Sequence, residues 1–219
     1  IDDANGGTTA VTGSATCDGS NWIQSSINLA SLDDGNIDIT VNMDDLESNP
    51  APTESQSVIK DLSAPTVSLT SPSVVNLAAE SSHSFWGTCD EPSGSVAYSV
   101  DDQANGATSP ITGTASCNGS VWTATNVDLS SLDDGTLDYS ADLDDAAGNS
   151  ASQATATGGK DTVPPSLSID ALVDVGPANE GSYGVTGSCG TDGEVVNVSV
   201  DDRGNGATDA VLGLSLIHI

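Results

Sequence analysis

Apolar and polar residues alternate along Leu137-Asp138-Tyr139-Ser140-Ala141-Asp142-Leu143-Asp144, and again along Ile37-Asp38-Ile39-Thr40-Val41-Asn42-Met43-Asp44. A period of two, with acids or hydroxyls on one side, predicts an antiparallel strand buried on one face. Val96, Tyr98 and Val100 alternate with Ser95, Ala97 and Ser99 in the same way. In the segment from His83 to Cys89 the odd positions look inward, as do Tyr183, Val185 and Cys189. Thr66-Val67-Ser68-Leu69 opens the set after Ala64-Pro65. Asn118-Gly119, between Ile111–Cys117 and Val121-Trp122, predicts a hairpin because both residues tolerate positive φ. Asp18-Gly19 stands at the equivalent place earlier in the chain. The turn Asp145-Ala146-Ala147-Gly148-Asn149 leads into a last strand ending near Gly158. No stretch shows helical periodicity. About seven short strands in about 100 residues is the pattern of an antiparallel sandwich, so the expected class is all-β.

These elements recur with a period of 100 residues, read without gaps. Ala4-Asn5-Gly6 returns as Ala104-Asn105-Gly106, Trp22 as Trp122, Ser31-Leu32-Asp33-Asp34-Gly35 as Ser131-Leu132-Asp133-Asp134-Gly135, and Lys60-Asp61 as Lys160-Asp161. Self-similarity at domain size predicts a tandem array of one module. The expected division is the rear of one repeat (1–60), a complete repeat (61–160), the front of a third (161–213) and a foreign ending (214–219). In that ending, Leu214-Ser215-Leu216-Ile217-His218-Ile219, the repeat would place a cysteine at 217. It resembles the translation of an adapter used in sequencing libraries, and is set aside as a scar. Ile1 falls in mid-repeat, so the chain reads as a fragment.

Composition changes the picture in two ways. Three basic residues face 32 acidic ones, a formal charge of −29. Such a chain repels nucleic acid and anionic lipid and attracts cations. No apolar run is long enough to span a membrane, so no membrane insertion is expected in this segment. Aromatics make up only 3% of the residues, which implies a lean core in need of a staple. The cysteines supply one. Cys17 matches Cys117 and Cys89 matches Cys189, so a full repeat holds two, and a disulfide Cys89–Cys117 is expected. It would contribute about 3.5 kcal/mol by restricting the unfolded chain. One pair per module also points to an oxidising, extracellular setting.

Nothing in the sequence supports catalysis. Outside the terminal hexapeptide there is one histidine, His83, on the inward phase of its strand. No Ser-His-Asp set or glycine-flanked nucleophile turn recurs. Paired carboxylates could suggest glycoside hydrolysis, but here they repeat in every module at turns. Trp122 is expected in the core beside the cysteines, and Trp86 on the outer face.

Several motifs at fixed spacing resemble the bacterial immunoglobulin-like repeats of large surface adhesins. They are Gly87-Thr88-Cys89-Asp90-Glu91, Cys117-Asn118-Gly119-Ser120-Val121-Trp122, the stretch from Asp128 to Gly135, Asp144-Asp145-Ala146-Ala147-Gly148-Asn149, and the boundary Lys160-Asp161-Thr162-Val163-Pro164-Pro165. The likeness covers 1–213 and implies tandem immunoglobulin-like sandwiches on the bacterial cell surface. It further implies a structural spacer or stalk whose partners are the neighbouring repeats and a distal tip outside the fragment. Two rival expectations are that the repeats themselves bind carbohydrate or a receptor, or that they are an accessory region of a secreted hydrolase. Related arrays bind calcium between domains, and loops at the two ends of such a module would gather acids at each junction. For the first junction these are Asp33, Asp34, Asp61, Asp144 and Asp145; for the second, Asp133, Asp134, Asp161 and Asp192. Calcium takes six to eight oxygens from such loops. The opposing expectation is that these acids serve turn geometry and solubility.

Overall fold

A computed structural model describes residues 1–3, 6–103, 108–190, 193–201 and, by backbone alone, 211–215. All strands and no helices are found in them. The strands are β1 (Asp2–Asp3), β2 (Gly35–Val41), β3 (Glu54–Lys60), β4 (Val75–Asn76), β5 (His83–Thr88), β6 (Pro92–Asp102), β7 (Ile111–Asn118), β8 (Val121–Val127), β9 (Gly135–Asp142), β10 (Ala154–Asp161), β11 (Val196–Val200) and β12 (Val211–Ser215). Among the described residues no helix is long and apolar enough to cross a membrane. The chain divides into two units, Ile1–Thr162 and Val163–Ile219.

In the first unit, residues 61–160 form two sheets around one core. The larger runs β4-β10-β9-β6-β7 and the smaller pairs β5 with β8. Residues 67–70 extend the smaller sheet: Val67 bridges Cys89, and the Ser68 and Thr70 amides donate to the Thr88 and Trp86 carbonyls at 2.9 Å each. The chain then changes sheet, and β4 pairs in parallel with the end of β10, Val75 opposite Lys160. No periodicity pointed to this short parallel edge. Elsewhere the alternation expected from the sequence is realised. Phe85, Trp122 and Ala124 from one sheet meet Val96, Val100, Ala115, Tyr139 and Ala141 from the other. The Phe85 ring meets Tyr98, Trp122 and Tyr139 edge-on, with centroids 5.2, 5.9 and 5.1 Å away. Each large side chain buried in this way stabilises the fold by about 1.5–3 kcal/mol. Few aromatics suffice because they pack edge-on against one another at the centre.

Three expectations need correction. First, Asn118-Gly119 does not join a hairpin: β7 pairs with β6, and β8 pairs with β5 in the opposite sheet. The Asn118 carboxamide oxygen accepts the Ser120 and Val121 amides, and Gly119 supplies a φ of +86°. The turn therefore closes on its own side chain and hands the chain across the sandwich. Second, the last strand runs to Asp161, past the expected end near Gly158. Third, the repeat is not free of gaps. Asp2 and Asp3 lie opposite Asp38 and Ile37, as Asp101 and Asp102 lie opposite Asp138 and Leu137. The first three residues are thus offset by 99 rather than 100, and one residue is missing from the following loop.

The first copy keeps the rear half of this arrangement. β1, β2 and β3 form one sheet, and β2 and β3 pair in the register of β9 and β10, with Gly35 opposite Lys60 as Gly135 is opposite Lys160. Residues 61–99, which cover the core of the complete module, have no counterpart among residues 1–60. Trp22 is accordingly 54% exposed where Trp122 is 1% exposed.

The second unit keeps the front half. Leu167 bridges Cys189, and the Ser168 and Asp170 amides donate to Ser188 and Thr186, matching Val67, Ser68 and Thr70. β11 pairs with β12, Val200 opposite Val211 as Val100 is opposite Ile111. Leu214 and Ser215, the first residues of the ending set aside above, continue β12. Residues 216–219 lie outside the described residues.

Candidate functional site

The expected disulfide is formed. Cys117 at the end of β7 joins Cys89 just after β5, with Cα atoms 6.0 Å apart. It ties the two sheets together beside the Asn118 turn, whose Ser120 carbonyl accepts the Cys89 amide at 3.0 Å. Cys17 and Cys189 are free and exposed.

The junction acids are placed as follows. Asp34 accepts the Leu62 amide at 3.1 Å and lies 3.6 Å from Lys60 Nζ. Asp134 accepts both the Thr162 amide, at 2.9 Å, and its hydroxyl. The same carboxylate thus holds the residue two past the lysine in both copies. Asp61 accepts the Ser63 amide. Asp145 accepts the Asn149 amide and carboxamide at 2.8 and 2.7 Å. Asn149 Nδ2 also reaches the Asp61 carbonyl at 3.0 Å, linking the turn of one module to the linker before it. The Asn149 side chain, followed by its backbone N–H, holds the Asp145 carboxyl below the usual carboxylate range. Asp45 is lowered by Asn49 in the same way. Asp144 bridges Ser150 through the backbone. The amides of Asp33 and Asp133 donate to Asp3 and Asp102 at 3.1 and 2.6 Å. Asp161 ends β10, and Asp192 lies outside the described residues.

One junction therefore draws Asp34, Asp61 and Asp145 into a connected set of hydrogen bonds. Among the described residues, no three His, Cys, Asp or Glu side chains are grouped so as to hold a metal ion. A calcium ion needs six to eight oxygens facing one point, and the carboxylates here face N–H donors instead. The donor set as arranged does not fit the ion.

Two parts of the joint were given no role from sequence. The first is the buried carboxylate of Asp102, which accepts the Thr108 hydroxyl at 2.8 Å as well as the Asp133 amide. Asp3 repeats it with Thr8 and Asp33. The second is the buried Lys160, which donates to the Leu132 carbonyl and lies 3.5 Å from Glu80. Lys60 donates to Leu32 in the same way. The signal was available: lysine is nearly absent from the chain yet recurs at this one place.

His83 is buried against Phe85 and Tyr139, and its Nε2 has no hydrogen-bond partner. Burial lowers its pKa. Burial pushes Tyr139 up to about 12. Trp122 is in the core and Trp86 is exposed, as expected.

No family description and no curated protein matches the chain. Among solved structures, it is similar to one described as the crystal structure of a tetra-tandem repeat in the extending region of a large adhesion protein. Identity is 24% and the TM-score 0.46, over 90% of this chain and 49% of that one. The chain thus spans about half the length of that structure, and at this TM-score the likeness carries no functional conclusion.

Proposed function

We propose that the chain is a non-catalytic spacer segment of a bacterial cell-surface adhesin, built from tandem immunoglobulin-like sandwiches. The observation that supports it most is the repeated joint. Asp34 and Asp134 hold the linker residues Leu62 and Thr162 by the same bond, 28 residues apart in each copy. Asn149 fastens the next module to the Asp61 carbonyl. A chain that rebuilds its linker contacts identically is suited to setting distance between what lies at its two ends. The interior disulfide makes each module resistant to extension, because residues 89–117 cannot be drawn out while it is intact. Its partners are the neighbouring repeats and a distal binding domain beyond this segment, and its setting is extracellular.

Concatemers of 61–160 in rising copy number test this by small-angle scattering together with a glycan and receptor binding screen. The expected result is a maximum dimension growing nearly in proportion to copy number, with no saturable binding. Compaction of the concatemers, or saturable binding by a single module, would overturn it.

A further inference from the structure

The two sheets of residues 61–160 have four strand edges: 67–70 and β8 in the smaller, β4 and β7 in the larger. An open edge accepts another strand unless it is short, bent or charged. Three of the four are protected in such a way. Residues 67–70 are brief and stand between Pro65 and Pro72. β4 has only two residues. β8 carries an extra residue where it pairs with β5, and Asn126 takes a φ of +56° there. A bulge of this kind twists an edge away from a flat approach. β7 is the exception. It runs for eight residues, about 27 Å, and among the described residues it is paired on one side only, with β6. The irregularity in that pair puts the extra residue in β6, between Pro92 and Ser95, so 111–116 stays regular. Pro110 precedes β7, and no proline lies within it.

The distribution of charge singles out the same strand. From Gln103 to Val127 the sequence holds no acidic or basic residue, in a chain of formal charge −29. The acids of the larger sheet stand on β6 and β9, where Asp101 lies opposite Asp138 and Asp142 is exposed. β7 turns Thr112, Thr114 and Ser116 outward instead. Gly113 is the weakest point of the strand, and the Tyr98 ring lies where a side chain on Gly113 would stand. Aromatic rings support glycines in sheets in this way.

The occupant of this edge follows from charge and symmetry. Two bodies of the same strong charge repel least along a strip that carries none of it. A basic partner would be drawn to the acid-bearing strands β6 and β9 rather than to β7. The strand also matches itself. Antiparallel pairing about Thr114 sets Thr112 against Ser116 and Gly113 against Ala115, which are hydroxyl-bearing or small pairs. Val11-Thr12-Gly13-Ser14-Ala15-Thr16-Cys17 repeats the uncharged pattern, so a second copy offers like edges at the same spacing along the chain.

We propose that β7 is a self-association edge. Two copies of the chain pair β7 with β7, antiparallel about a two-fold axis through Thr114, and join their five-stranded sheets into one. Such an interface is isologous and closes at two copies. The proposal rests on the complete module and not on the spacer role, so either can fail alone.

The 219-residue chain is the test material, with the exposed Cys17 and Cys189 first blocked by iodoacetamide so that no disulfide joins copies. Work at about 0.15 M salt shortens the reach of the general repulsion to about 8 Å. Sedimentation equilibrium is expected to show mass rising with concentration toward two chains. Amide hydrogen exchange in 111–118 is expected to slow over the same concentrations, while that in β5 stays constant. Thr114→Glu and Thr114→Lys, at an exposed position, are each expected to weaken association by roughly tenfold or more, because each sets like charges against one another. An equimolar mixture of the two variants is expected to restore it. A monomer at every concentration, unchanged exchange in 111–118, association undiminished in both variants, or a mixture no stronger than either variant alone would each overturn the proposal.

Discussion

The indole N–H of Trp122 donates to the backbone carbonyl of Ser68 at 3.0 Å, directly over Gly87. A residue on β8 thereby pins the first segment of the module to the sheet it edges. The bond satisfies the one polar atom of the largest buried side chain, which would otherwise be costly inside the core.

Gly87→Ala should be among the most damaging single changes in the chain. The added Cβ meets backbone and indole atoms rather than open space. The expected loss is about 3 kcal/mol, the upper part of the range for overpacking. Urea unfolding followed by Trp fluorescence measures it; a loss below roughly 1 kcal/mol means that the slot is looser than described.

Reduction of Cys89–Cys117 should lower stability by about 3.5 kcal/mol, from the 28-residue separation it closes. The Cys89→Ala, Cys117→Ala double variant should unfold at the same urea concentration with or without dithiothreitol. A wild-type midpoint unmoved by dithiothreitol would argue against a stabilising disulfide.

Asn149→Ala should loosen the linker, and Asn49→Ala should not. Both side chains brace an Asp four residues earlier, but Asn149 also bonds the Asp61 carbonyl. The difference between the variants is one net hydrogen bond, about 1 kcal/mol. Limited proteolysis across residues 61–66 should accelerate in Asn149→Ala alone; equal rates would remove the joint bond from the account.

Stability should fall as pH drops below about 6.5, the ordinary His value. Burial lowers the His83 pKa in the folded chain, so the unfolded chain binds the proton first. The contribution is complete above the unfolded value and is lost as pH falls toward the folded one. His83→Gln should flatten the slope between pH 7 and 5, read from thermal midpoints. At the alkaline end the sign reverses. Tyr139 is raised to about 12, so its contribution is complete below about pH 10 and is lost toward 12. Tyr139→Phe should remove that loss.

Calcium and magnesium should shift thermal unfolding equally at fixed ionic strength, through general screening. The Asp34, Asp61 and Asp145 carboxylates already accept N–H donors. A calcium-specific rise of many degrees, abolished by chelator, would show that these side chains turn toward an ion instead.

The sequence by itself determined the strands and their faces. Alternation at Ile37–Val41 and Leu137–Asp142 is a local property, because side chains on a strand must point to opposite sides. The 100-residue recurrence marked the module, and the cysteine count marked the staple. Tertiary structure decided which strands pair. Asn118-Gly119 carries the signal of a hairpin, yet Asn118 satisfies the Ser120 and Val121 amides itself, leaving β8 to bond β5 more than 30 residues earlier. Likewise the acids near residues 33 and 133 suggested a cation site by their charge, their place in loops at the module ends and the family resemblance. Whether a carboxylate faces an ion or an amide depends on which backbone N–H groups the fold leaves beside it. At Asp34 and Asp134 it left those of Leu62 and Thr162, 28 residues away, beyond the reach of any local pattern.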